Sequence, residues 1–239
     1  MATWDDVPHI TQEQKDALWD SIPPFQRLAR SRGIPQLGSG TIYPLDETEI
    51  ICAPFKIPDF WPKVFGLDIG WNRTAAVWAA IDEESDITYL YSEYFRAQAE
   101  PAIHAEGIKS RGSWIPGVID PAAKGRSTLD GRKMIEHYTD LGLYLDFADN
   151  AVEAGIQEVW GRLSSGRLKV FSSLQNWRNE FRIYRRDEKG KIVKKDDHLM
   201  DATRYLVVSG LRIASTPPSR REDSDYLFSD ASRSVTTGY

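Results

Sequence analysis

The sequence predicts an α/β domain built on a mixed sheet flanked by helices. Two observations carry that reading. Three apolar stretches follow one another at 64–69, 75–81 and 87–94, separated only by the turn signals Asn72-Arg73 and Glu83-Glu84-Ser85. That pattern makes an antiparallel meander. Beyond it, helical spacing and short apolar runs alternate, as strand–helix units do.

The elements follow in order. Residues 11–32 suit an amphipathic helix broken at Pro23-Pro24, and 32–40, rich in Gly and Pro, read as a loop. Residues 1–60 look peripheral and read as an extension or linker. After the meander, 102–109 suggest a helix and 117–120 a short strand ending in Asp120-Pro121. Residues 131–140 suggest a second helix and 143–147 a strand. Val152, Ile156, Val159, Trp160 and Leu163 recur near helical spacing, and Leu168–Phe171 is a further strand. Residues 181–195 read as a basic hairpin turning at Asp187-Glu188-Lys189-Gly190. The final helix carries His198 and Asp201. Residues 215–239, rich in Ser, Asp and Arg, read as a flexible tail, which leaves 61–214 as the folded domain.

Composition sets limits. The chain has 239 residues, 41% of them hydrophobic, enough for a sizeable core. No run approaches the ~18 apolar residues of a membrane span, and the polar, acidic N-terminus has no signal-peptide pattern. The lone Cys52 excludes an internal disulfide and a thiolate zinc site, and a reducing compartment is expected. Net charge is −5, yet residues 161–200 hold eleven Lys and Arg against five Asp and Glu. A local basic surface is therefore expected on an acidic protein.

Three aspartates stand out. Asp68 closes the run Val64-Phe65-Gly66-Leu67-Asp68, and Asp120 closes Gly117-Val118-Ile119-Asp120. Asp201 lies on the helical stretch His198-Leu199-Met200-Asp201-Ala202-Thr203-Arg204-Tyr205. A carboxylate in an apolar run is costly to bury, and a metal ion offsets that cost. Carboxylates at strand ends and on a packed helix can hold hard cations such as Mg²⁺. Pro121 biases Asp120 to an extended backbone, and the small Ala122 and Ala123 leave room for a phosphate that Lys124 can neutralise. His198 is three residues from Asp201 and on the same helix face, placed to bind metal, orient a ligand or move a proton. Asp197 is placed to cap the helix. Arg182, Arg185, Arg186, Lys191, Lys194 and Lys195 make the hairpin a phosphate-contacting flap; the competing reading is a charged edge that resists aggregation. Trp78 and Trp160 fit core faces. Trp71, Trp114 and Trp177 fit the core or the rim of a groove.

These segments, with their order and neighbours, resemble the nuclease domain of the large terminase subunit of tailed bacteriophages, in particular the P22-like headful-packaging type. The resemblance spans about residues 60–212. It implies an RNase H-like (retroviral-integrase) fold. It also implies a nuclease that cuts concatemeric double-stranded viral DNA with two Mg²⁺ or Mn²⁺ ions. Asp68 and Asp120 would hold one ion, Asp68 and Asp201 the other, and His198 is a further candidate ligand. Implied partners are double-stranded DNA, a packaging ATPase domain, the portal protein and the small terminase subunit, with no membrane. The implied location is the host cytoplasm, at the procapsid portal vertex. No Gly-rich phosphate loop ending in Gly-Lys-Ser/Thr occurs, so the expectation is a nuclease separated from its ATPase. Beside a non-enzymatic capsid adaptor, which neutral Asp→Ala changes would favour, two alternatives stand. One is a Holliday-junction resolvase or transposase of the same fold. The other is an actin-like sugar kinase, which shares the Asp68 turn but needs a second phosphate loop and an adenosine-binding Gly-rich segment, and the sequence contains neither.

Overall fold

The computed structural model describes residues 10–22, 40–125 and 133–218. Helix α1 (Gln12–Ser21) begins at Thr11, whose hydroxyl accepts from the Gln14 amide while the Gln14 side chain returns a bond to the Thr11 amide. Then come β1 (Gly40–Thr41), α2 (Glu47–Ile50), β2 (Ile51–Cys52), β3 (Lys63–Asp68), β4 (Thr74–Asp82) and β5 (Ile87–Arg96). Helix α3 (Pro101–Lys109), β6 (Gly117–Ile119), a 3₁₀ turn (Pro121–Lys124), α4 (Met134–Asp140) and β7 (Leu145–Phe147) follow. The chain continues through α5 (Val152–Ser164), β8 (Leu168–Phe171), α6 (Gln175–Ile183), β9 (Arg185–Arg186) and α7 (His198–Tyr205).

Seven strands form one sheet in the order β2-β8-β5-β4-β3-β6-β7. The meander β3-β4-β5 is antiparallel. β6 runs parallel to β3, β7 to β6, β8 to β5, and β2 to β8. The sheet is thus mixed, as the order of sequence signals requires.

Strand side chains alternate between faces, and β4 shows this most plainly. Ala75, Val77 and Ala79 join the core beneath α5, α6 and α7. Ala76 and Trp78 join the opposite core with Phe65, Leu67, Ala105 and Ile108 beneath α3 and α4. Both faces are covered, so the strand reads as a continuous apolar run. Small residues let α7 settle close to the sheet centre. A Cβ added at Gly66 would stand 2.1 Å from the Ala202 carbonyl oxygen, so only glycine permits this approach.

Two expectations need correction. Phe181, Arg182 and Ile183 belong to α6 and not to a hairpin strand. The deciding period is helical: Trp177 and Phe181, four apart, are buried and stack at 5.1 Å between centroids. The hairpin itself is confined to 185–193: Arg186 bridges to Ile192, the Asp187 and Val193 amides donate to the Lys191 and Arg185 carbonyls, and Arg185–Arg186 also pairs with Gly40–Thr41. Residues 40–52 are not peripheral, because Ile42, Tyr43 and Ile50 are fully buried and Ile51–Cys52 adds the edge strand beside β8. At the other end, Ser215 bridges to Lys63, carrying the ordered fold just past residue 214. The remainder of the expected tail, from residue 219, lies outside the described residues.

Candidate active site

Register brings two of the aspartates together. Leu67 pairs with Ile119 across the parallel strands β3 and β6, and the Asp120 amide donates to the Leu67 carbonyl at 3.0 Å. Asp68 and Asp120 therefore leave adjacent strand ends at one level. Asp120 accepts the Ala122 amide through Oδ1 at 2.8 Å, which fixes the carboxylate as the chain turns at Pro121. Its other oxygen is not engaged by that turn. Lys124 closes the turn, and its side chain lies outside the described residues.

Asp201 reaches the same place from the first turn of α7. The close approach at Gly66 carries α7 across β3, so Asp201 and His198 face the end of that strand. His198 Nδ1 lies 2.8 Å from Asp68 Oδ2. Asp201 Oδ1 accepts from Arg204 at 3.1 Å, and Oδ2 accepts from Lys194 at 2.8 Å. Asp68 and Asp201 are each only 8% exposed.

Burial pushes the Asp68 carboxyl up to about 6, with the His198 hydrogen bond pulling down and the charges of Asp201 and Asp120 pushing up. In return the hydrogen bond to Asp68 raises His198. Burial raises the Tyr205 hydroxyl too, and the charges of Asp201, Asp120 and Asp68 add to that rise. The three carboxylates thus form one electrostatic cluster. Arg204, Lys194 and His198 balance it.

Among the described residues, no three His, Cys, Asp or Glu side chains stand together in metal-holding geometry. The donor set nonetheless fits a hard divalent cation by its chemistry, three carboxylates and one imidazole. The oxygens are shared with cationic side chains instead. Lys194, whose side chain is 60% exposed, bridges Asp201 Oδ2 and, at 3.2 Å, Asp197 Oδ2. Lys194 therefore belongs to the acidic cluster and not to an outer phosphate-binding surface.

The other basic residues separate. Arg182 pairs with Glu47 at 2.6 Å, beside Arg178, which pairs with the same carboxylate. Arg186 is buried and makes a two-pronged pair with Glu153, at 2.7 and 3.0 Å. Arg186 is committed to its pair inside the fold, and Arg182, half exposed, shares Glu47 with Arg178. Arg185, Lys191 and Lys195 are exposed, and no ion pair among the described residues engages them. Trp177 is core, its indole N–H donating to Thr203 at 2.8 Å.

One site-supporting residue was not legible. Glu180 of α6 is 3% exposed and caps α7, accepting the Leu199 amide at 2.6 Å and the Met200 amide at 3.4 Å. Asp197, expected in that role, makes no capping bond. Burial pushes Glu180 up to about 7. Its spacing from Trp177 and Phe181 on one helix face was the available signal, hidden by the hairpin reading.

A model of the Terminase RNaseH-like domain family matches residues 65–209. The chain is 37% identical over 218 residues to the terminase large subunit of Enterobacteria phage LP7, covering 87% of this chain and 45% of that protein. It is also 37% identical over 211 residues to that of Salmonella phage P22, covering 84% and 42%. The chain spans less than half the length of these curated relatives. It superposes on the P22 large terminase nuclease domain with a TM-score of 0.69 at 32% identity, covering 75% of this chain and 96% of that domain. With its meander followed by parallel strands, and its carboxylates gathered at the strand ends, the fold is RNase H-like and the chain belongs to the terminase RNase H-like nuclease domain family.

Proposed function

We propose that this chain is a divalent-metal-dependent endonuclease that cuts concatemeric double-stranded DNA during phage genome packaging. The observation that carries this reading is the convergence of Asp68, Asp120 and Asp201 from two parallel strands and one helix. Asp68 and Asp120 would hold one Mg²⁺ or Mn²⁺, Asp68 and Asp201 a second, with His198 orienting Asp68 through its 2.8 Å bond. The large terminase nuclease of phage G20c, similar in fold at TM-score 0.50 and 14% identity, is described with bound magnesium.

When bound, two such ions activate water and stabilise the leaving oxygen. The chain's own groups do the remainder. Asp120 is pre-oriented by the Ala122 amide. Arg204, 2% exposed, holds one Asp201 oxygen. Lys194 supplies positive charge at the other, on an exposed side chain that a cation can displace. Exposed Arg185, Lys191 and Lys195 meet phosphates and not bases, so sequence preference is weak. In the longer protein, a packaging ATPase domain, the portal protein and the small terminase subunit are the expected partners, at the procapsid portal vertex in the host cytoplasm. No helix among the described residues is long and apolar enough to cross a membrane.

The test is supercoiled plasmid incubated with the protein and Mn²⁺, Mg²⁺ or EDTA. Nicked and linear products with Mn²⁺, fewer with Mg²⁺ and none with EDTA are expected. Undiminished cutting in EDTA overturns the mechanism, and cleavage confined to four-way junctions returns the resolvase reading.

A further inference from the structure

A cavity of about 480 Å³ opens at the same strand ends as the carboxylates, lined by Ile69, Trp71, Met134, His137 and Tyr138 among others. It lies on the other face of the sheet. Gly66 faces α7, and Asp68 shares its side of the alternation, whereas Phe65, Leu67 and Ile69 pack in the core beneath α3 and α4.

Trp71 stands out there. Its side chain is 68% exposed, yet its backbone is held in place. Its carbonyl accepts the Gln98 amide at 3.1 Å, and the neighbouring Gly70 carbonyl accepts the Thr74 hydroxyl at 3.2 Å. Gln98 itself sits at φ 45°, a left-handed conformation that costs free energy for a non-glycine residue. A large indole is thus presented to solvent on a fixed turn beside a cavity. Among the described residues, no lysine or arginine lines that cavity, and Glu100 is its carboxylate, exposed at the start of α3 and making no capping bond. The described lining, mostly apolar with His104, His137 and one carboxylate, suits a flat heterocycle with N–H donors.

We propose that this cavity receives one unstacked nucleobase of the DNA, laid against Trp71 with its N–H edge toward Glu100. The proposal rests on the nuclease reading for the identity of its ligand. Two residues separate Asp68 from Trp71, so their Cα atoms, three steps apart along the chain, are at most about 11 Å from one another. That distance corresponds to about three nucleotides of one strand. Every base has a π-face and an N–H donor when unpaired, so the pocket adds grip without demanding a sequence.

A base must leave its pair to enter, and a mismatched base does so at lower cost. The experiment measures binding, by fluorescence anisotropy with Ca²⁺ present, to matched duplexes and to duplexes carrying one mismatch. The parent protein should bind the mismatched duplex about tenfold more tightly. Trp71→Ala, at an exposed position, should bind both alike, and Trp71→Phe should keep part of the preference. Ala99→Phe, which fills the cavity from its wall and leaves Trp71 in place, should also remove it. Equal binding of both duplexes by the parent, an undiminished preference in Trp71→Ala, or no DNA binding overturns the proposal. A Trp71-dependent mismatch preference in a protein that cuts no plasmid leaves the pocket standing and removes the nuclease reading. Plasmid cutting with no mismatch preference does the reverse.

Discussion

On the proposed mechanism Asp68, Asp120 and Asp201 perform one task in three different settings, and their replacements should separate accordingly. Each change to Ala should lower metal-dependent cleavage by about a thousandfold or more, and double variants should fall no further, because the groups act as a unit. Stability should not follow activity. Arg204 is 2% exposed and pairs with Asp201, so Asp201→Ala leaves a buried charge alone and should cost about 3 kcal/mol. Asp68→Ala and Asp120→Ala strand no arginine and should melt near the parent. Equal melting of all three would contradict the role given to Arg204. Glu180 provides a pH test. Its folded carboxyl is pushed up to about 7 from the ordinary 4.5, so the fold favours the neutral form. That stability is fully present below the ordinary value and is lost as pH rises through about 7, at a cost of about 3 kcal/mol. Glu180→Gln lacks this loss, so its melting temperature should gain on the parent between about pH 5 and pH 8. A constant difference would sink the assignment.

At the scale of elements, the strands were legible wherever one face, or both, had to be apolar over several residues. The meander and β8 follow from that, and Asp68 and Asp120 were legible as the polar ends of such runs. Helix α6 was not, because Phe181 and Ile183 also satisfy a two-residue period and adjoin the basic run. The helical spacing of Trp177, Glu180 and Phe181 decides the matter only once the core is known. Two-residue β1, β2 and β9 carry no pattern at all; their pairing is set by distant partners. Arg182 and Arg186 form ion pairs that were not legible for the same reason, since Glu47 and Glu153 lie far away in sequence. Their changes to Ser should therefore lower the melting temperature and leave the salt dependence of DNA binding alone. Replacing Arg185, Lys191 and Lys195 with Ser should do the opposite, with the slope of log K against log salt falling by about 0.9 for each phosphate that the variant no longer neutralises. The seam between β3 and α7 should be the least forgiving. Gly66→Ala places a methyl 2.1 Å from the Ala202 carbonyl oxygen, and it should cost about 3 kcal/mol. It should also displace Asp201, so that cleavage is lost even at temperatures where the variant stays folded; full activity would contradict this.

Across the whole molecule, the fold sets where the charge goes. The chain is acidic, at −5, with its basic excess in residues 161–200. Part of that excess is paired with Glu47, Glu153 and Asp201. Exposed Arg185, Lys191 and Lys195 lie on the segment leading into α7. A net acidic chain with exposed cations at this margin would favour DNA there over its acidic surfaces. On the proposed function, three elements of this sheet-and-helix frame assemble one centre for divalent cations. Titration of Mn²⁺ into the metal-free protein, followed by the electron paramagnetic resonance signal of the free ion, tests it directly. The parent should remove Mn²⁺ saturably, and Asp68→Ala, Asp120→Ala and Asp201→Asn should each lose that binding. Parent-like uptake by any one of them, or no uptake by the parent with or without duplex DNA, would contradict the account.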